Sequence, residues 1–179
     1  MYRLWRQQGA ALIRLRQDTT AQEAVLVQQL HRPSPGRELP PVTLPDLRRR
    51  AIDLARFRGR RVVLVLWSPG CGFCVSVAPE LAELQRKLRR DGTEIVLLSH
   101  GDVESNRALL DEAGLACPVL LLSQPAPGIG TPTAYLLDEA GRLAAPPAVG
   151  AVGVSRLARE LVATATPEPV AAGSQHTGG

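Results

Sequence analysis

Aromatic side chains are scarce in this sequence: Phe, Trp and Tyr together make up 3% of its 179 residues. A core must therefore be filled by Leu, Val and Ala, and a 45% hydrophobic content supplies enough of them for one domain. Lysine is nearly absent as well, Lys87 being the only one, so arginine carries most of the net charge of +4. The densest basic stretch, Arg48-Arg49-Arg50 with Arg56, Arg58, Arg60 and Arg61, lacks a series of interleaved rings on which bases would stack. It reads as a solvated loop before a buried strand, and no nucleic-acid partner is expected. No apolar run reaches the ~20 residues that a membrane-spanning helix needs. Ala10-Ala11-Leu12-Ile13 is too short for the apolar core of a signal peptide, and Arg14 and Arg16 interrupt it. The chain is thus expected to stay in the cytoplasm, or to be taken across a membrane by something outside this sequence. Cysteine is rare too. Three cysteines cannot form a purely paired framework within one chain, and a core of this size needs no disulfide staples.

The cysteines that are present stand in an informative place. Leu64, Val65, Leu66 and Trp67 close an apolar run that reads as a buried strand, Ser68-Pro69-Gly70 is a turn, and Cys71-Gly72-Phe73-Cys74 follows. From Val75 onward the pattern is helical. Strand, tight turn and helix opening on C-x-x-C is the setting in which that motif does redox chemistry. A helix start offers free backbone N–H groups and the positive end of the peptide dipole. A thiolate there is stabilised, so the first cysteine becomes nucleophilic nearer neutral pH.

Residues 1–30 are expected to form an amphipathic helix, with Leu4, Ala11, Leu12, Leu15, Leu26 and Leu30 near helical spacing. Such a stripe serves to dock a partner, a membrane protein included, to pack on its own domain, or to lie on a membrane surface. His31-Arg32-Pro33-Ser34-Pro35-Gly36 opens a linker over 31–39. A compact domain is expected over 40–163 and a disordered tail over 164–179. Within the domain, 42–44 and 61–67 read as strands, with one helical turn between them. A helix after Cys74 buries Val77, Leu81, Leu84 and Leu88 and ends at Asp91-Gly92. Glu94–Ser99 reads as a second buried strand, and Asp102 caps a helix reaching Ala113. Val119–Leu122 is a short apolar run, 123–130 a Pro- and Gly-rich loop, 133–137 and 143–149 a hairpin, and 154–163 a last helix. Helices between parallel strands and a late hairpin make an α/β fold, a mixed sheet with helices on both faces.

Over roughly residues 40–162 the chain resembles the thioredoxin superfamily. Within it the chain is most similar to the TlpA/ResA-type redoxins and their relatives in methylamine utilisation. Trp67 stands four residues before the first cysteine, Pro79 five after the second, and Thr131-Pro132 precedes an apolar strand. The resemblance implies a thioredoxin-like sheet with an N-terminal helical extension, and a kinked active-site helix at Pro79. The alternative reading starts that helix only after Pro79, because an interior proline costs about 3 kcal/mol or more. The resemblance also implies that Cys71 attacks a partner disulfide and Cys74 resolves the mixed disulfide. Thr131 and a cis Pro132 would then lie beside them to pair with an incoming peptide. Trp67, Gly70, Gly72 and Phe73 complete the expected substrate surface. No cofactor and no metal are expected. The expected partners are a protein disulfide or dithiol and an upstream redox protein. By resemblance the work is reductive and lies outside the cytoplasm or at a membrane.

The chain departs from thioredoxin itself in two places. Gly70 stands where a tryptophan wall would precede the first cysteine, and Val65 replaces the buried acid of the preceding strand. Glu80 is expected to point outward. A copper chaperone is the alternative reading, with His100 the only plausible further ligand, and a non-catalytic docking module is another. Cys117 beside Pro118 reads as a buried structural thiol rather than a third zinc ligand. A peroxidase is disfavoured, because the proline–threonine motif before its cysteine is absent.

Overall fold

The structure, a computed structural model, describes residues 19–164. The first half of the expected N-terminal helix and nearly all of the expected tail fall outside those residues. Helix α1, described over 19–31, leads into β1 (Thr43–Pro45) and β2 (Ala51–Asp53), an antiparallel pair, and then a 3-10 turn, Leu54–Phe57. There follow β3 (Arg61–Trp67), α2 (Gly72–Arg90), β4 (Thr93–Ser99), α3 (Val103–Ala113), β5 (Val119–Leu121), β6 (Thr133–Leu137), β7 (Ala148–Val149) and α4 (Gly150–Thr164). The main sheet has the order β5-β4-β3-β6-β7. β3, β4 and β5 run parallel, while β6 and β7 are antiparallel to their neighbours. This is the expected mixed sheet with helices on both faces.

Strand alternation decides what each face buries. From β3, Val62, Leu64 and Leu66 join one core, while Val63, Val65 and Trp67 join the other. The second core is roofed by α2, α3 and α4 through Leu81, Leu88, Leu109, Leu110 and Val154. On the opposite face the segment 123–131 carries no helix, and α1 fills the place with Leu26 and Leu30, 0% and 1% exposed. The Tyr135 hydroxyl of β6 donates to the Leu30 carbonyl at 2.9 Å, tying the end of α1 to the sheet. The described part of the N-terminal helix thus packs on its own domain through Leu26 and Leu30. The packed unit also begins earlier than residue 40. Gly36 N–H donates to Leu143 O at 2.7 Å, Leu143 N–H to Arg37 O at 2.9 Å, and Leu39 is buried.

Two element expectations change. The strand expected over 143–149 shrinks to an isolated bridge at Leu143 and the two residues of β7, because Pro146 and Pro147 supply no ladder donors. Helix α4 begins at Gly150, four residues ahead of Val154. Helix α2 runs through Pro79 from Gly72, so Cys74 lies inside the helix rather than in a loop before it.

Candidate active site

β3 ends at Trp67, which is 1% exposed and anchors the end of the strand in the core, so it is not part of the substrate surface expected of it. The chain then doubles back: Cys71 N–H donates to Ser68 O at 3.1 Å, closing the Ser-Pro-Gly turn. Cys71 is the N-cap of α2, with extended φ/ψ and no side-chain capping bond. Its sulfur, left free by the cap, lies 3.1 Å from the carbonyl oxygen of Thr131. The Thr131–Pro132 peptide is cis, and Pro132 is buried behind it. Cys71, Thr131 and Pro132, distant in sequence, are thus brought together. Gly150 N–H reaches Pro132 O at 2.8 Å and ties the start of α4 to the same point.

The two thiols differ in environment. Cys71 is half-buried at the mouth of the turn, whereas Cys74 is 0% exposed and packed among Val65, Trp67 and Val77. Partial burial pushes the Cys71 thiol up, but hydrogen bonds with the Thr131 side chain, the Cys74 backbone and thiol, and the Phe73 backbone outweigh it. The net result lies below the 9.0 of an unperturbed thiol. For Cys74 burial dominates, the neighbouring Cys71 adds to it, and the thiol is pushed up to about 12. The two cysteines are unlinked in this structure.

The remaining expected residues surround this pair. A Cβ built on Gly72 would meet nothing within 4 Å, and one on Gly70 only the Ser68 hydroxyl at 4.0 Å. The surface above the dithiol is therefore open where a tryptophan wall is missing. Phe73 projects outward, 70% exposed. Glu80 is directed away from Cys74: its carboxylate accepts from the Ser155 hydroxyl at 2.6 Å and from the Arg159 guanidinium, which hold it below the usual carboxylate range. Cys117 does not join Cys71 and Cys74. It lines a separate cleft with Glu94, at the start of β4, and burial pushes its thiol up to about 12. Among the described residues no three His, Cys, Asp or Glu side chains converge as a metal site.

Two features of the site escaped the sequence reading. Val149 and Val152 are apolar yet 66% and 84% exposed. Val149 is paired with Thr133, next to Pro132, and Val152 shares a groove with Ser76 and Val77. Apolar residues around Gly150 were a usable signal, but in the sequence Val149 reads only as the end of a strand and Val152 as a connection before the last helix. The second is a buried polar clasp. Ser99 Oγ lies 2.7 Å from Asn106 Oδ1, and Asn106 Nδ2 donates to Asp102 O at 2.9 Å. This clasp holds the loop in which a Cβ on Gly101 would lie 3.4 Å from Pro69, so the loop braces the active-site turn.

A thioredoxin-type sheet with a C-x-x-C dithiol facing a cis proline defines a redoxin. The chain belongs to the AhpC/TSA family, which matches residues 35–145. It is 29% identical over 115 residues to the thiol-disulfide oxidoreductase ResA of Bacillus thuringiensis (strain Al Hakam), covering 60% of this chain. It is 30% identical over 114 residues to that of Geobacillus thermodenitrificans. The chain spans 66% of the length of each of these relatives, just under two thirds. Among solved structures, a putative thiol:disulfide interchange protein DsbE from Chlorobium tepidum superimposes with a TM-score of 0.63 at 21% identity. That match covers 74% of this chain and 99% of the other. A thiol:disulfide interchange protein from Bacteroides sp. gives 0.63 at 19% identity, covering 80% and 98%. These structural likenesses establish the fold.

Proposed function

We propose that the protein is a thiol–disulfide oxidoreductase that reduces a disulfide in a partner protein through Cys71 and Cys74. The observation that carries this reading is the asymmetry of the pair: a half-buried Cys71 sulfur 3.1 Å from the Thr131 carbonyl before a cis proline, backed by a fully buried Cys74, with the first thiol pulled below its ordinary pKa and the second pushed up. The Cys71 thiolate attacks one sulfur of the partner disulfide; an intermolecular S–S bond forms, the partner's own S–S bond breaks, and a partner thiolate leaves. Cys74 then loses its proton and attacks Cys71 Sγ. The Cys71–Cys74 disulfide forms and the partner departs as a dithiol, two electrons richer. Val65 on β3 offers no acceptor for the Cys74 proton, and the partner's leaving thiolate takes it. Phe73, Val149 and Val152 offer an apolar seat for the partner segment, and the Thr131 backbone lies beside the sulfur that it must reach.

The reductive direction follows the TlpA/ResA resemblance, and an upstream dithiol must then restore the reduced form. In the test, a glutathione redox titration with alkylation reads the Cys71–Cys74 couple. A reductant lies near the roughly −270 mV of thioredoxin and an oxidant near the roughly −120 mV of DsbA. Cys71→Ser abolishes exchange, and Cys74→Ser accumulates mixed disulfides with partner proteins. If Cys71 and Cys74 form no reversible disulfide, the proposal fails.

A further inference from the structure

At the end of the sheet opposite the dithiol, a cleft of about 540 Å³ opens between the β1–β2 hairpin, the 3-10 turn and β5. Arg48, Arg50, Arg56 and Arg60 line it, with Glu94 and Cys117 among the other residues. We propose that this cleft binds a small polyanion carrying clustered phosphate or carboxylate groups.

The charge balance is the first reason. The cleft's two carboxylates are already committed. Asp46 accepts the backbone N–H groups of Arg48 and Arg50 at 2.8 and 2.9 Å and the Arg50 guanidinium at 2.7 Å. Those bonds lock the turn that carries the arginines. Glu94, 8% exposed, is shared between Arg89 at 3.0 Å and Arg60 at 3.4 Å. The guanidinium groups of Arg48 and Arg56 have no hydrogen-bond or ion-pair partner among the described residues, so a surplus of positive charge faces one concavity. Like charges held together repel, and an oxyanion relieves the repulsion while satisfying planar N–H forks that match phosphate and carboxylate geometry.

The second reason is the shape and chemistry of the cleft. Its volume falls within the roughly 300–1,000 Å³ typical of small-molecule sites. Leu47, Phe57 and Pro118 give it apolar walls on which the body of a ligand can rest. The Cys117 thiol, pushed up to about 12, stays protonated and neutral at physiological pH, so it neither cancels the positive field nor provides a second exchange site. An extended nucleic acid fits less well. Phe57 is half-buried against the core rather than presented for stacking, and the arginines converge instead of forming a track. Glu94 lies five residues before Ser99 along β4, so the cleft stands roughly 16 Å from the dithiol end at about 3.3 Å per residue.

The test is isothermal titration of the full-length protein with sodium pyrophosphate and, separately, with citrate, against sodium chloride at matched ionic strength. The same titrations are run on the doubly substituted Arg48→Ala/Arg56→Ala protein, whose lost side chains are exposed and hold nothing in place. One-to-one binding of either anion, weakened at least tenfold in the variant, supports the proposal, and the preferred anion identifies phosphate or carboxylate as the source. No binding beyond the chloride control, or equal binding by the variant, overturns it. Arginine-dependent binding of a single-stranded RNA 20-mer, with neither small anion bound, also overturns it, in favour of nucleic acid. Exchange at Cys71 and Cys74, assayed in parallel, is unchanged in the variant, so failure at the cleft and failure of the oxidoreductase reading are separately visible.

Discussion

Differential alkylation is the sharpest probe of the dithiol. Cys71 ionises below 9.0 and Cys74 at about 12, so the two are separated by more than about three pH units. Below both values that gap makes the Cys71 thiolate about a thousandfold more populated, at tenfold per unit. Nucleophilicity works the other way: with a Brønsted slope of about 0.4–0.5, the more basic thiolate is about 15–30-fold more reactive once formed. Population wins, and a preference of roughly thirtyfold or more for Cys71 survives before access is considered. Burial of Cys74 only widens it. The assay is a timed iodoacetamide quench of the reduced protein at pH 7, with each cysteine's modification read by peptide mass spectrometry. Cys117, also near 12, is expected to lag with Cys74. Modification of Cys74 or Cys117 within about threefold of the Cys71 rate would refute the reasoning, because population and access both demand more.

Three other measurements bear on different parts of the structure. Leu26→Ala removes a fully buried side chain of α1 and is expected to cost about 2–5 kcal/mol in urea unfolding; a loss under about 1 kcal/mol means that α1 does not close the sheet's second face. Stability should fall as pH rises from about 9 towards 12, since Cys74, Cys117 and Tyr135 keep their protons when folded but lose them earlier when unfolded. Urea midpoints between pH 8 and 10.5 read that loss, and Cys117→Ala should show a shallower decline. Glu80→Gln weakens an ion pair with the exposed Arg159, worth less than about 1 kcal/mol, and leaves exchange unaltered; a drop in exchange rate at unchanged stability would instead make Glu80 a proton carrier for Cys74.

Strands β3 and β4 and the helix boundaries at Asp91 and Asp102 could be read from sequence because local chemistry dictates them, whereas the pairing of C-x-x-C with the distant Thr131-Pro132 came only from the family resemblance. Short continuous apolar runs bounded by turn signals fit strands buried on both faces, as β3 and β4 are. Asp102 accepts from Ser105 N–H at 2.7 Å, the bond that its position before an apolar-periodic stretch implies. What could not be read depends on contacts between segments far apart. Nothing local in Leu26 says that it replaces a helix missing over 123–131, so packing and partner docking stayed equal alternatives for the N-terminal helix. The basic stretch between 48 and 61 looked like a solvated loop because Arg48, Arg50, Arg56 and Arg60 come to line one cleft only when the β1–β2 hairpin folds against β5. Likewise, nothing in the order of Val149 and Val152 tells that they emerge beside a proline seventeen and twenty residues earlier.

Replacing a buried acid on β3 with Val65 changes how the dithiol is divided. A carboxylate beneath Cys74 would raise that thiol's pKa by repulsion and also offer a place for its proton. Val65 gives neither, yet Cys74 still reaches about 12 because burial is the largest cause of its shift. The asymmetry between the cysteines is therefore built by packing, through Trp67, Val65 and Val77 around Cys74, while the open backbone at Gly70 and Gly72 leaves Cys71 accessible. Packing can keep a proton in place but cannot accept it. In the exchange proposed above, resolution of the mixed disulfide would then rest on the partner's leaving thiolate, which exists only after Cys71 has attacked. Cys74 would stay inert until the partner is bound, an order set by an apolar side chain standing where an acid would have been.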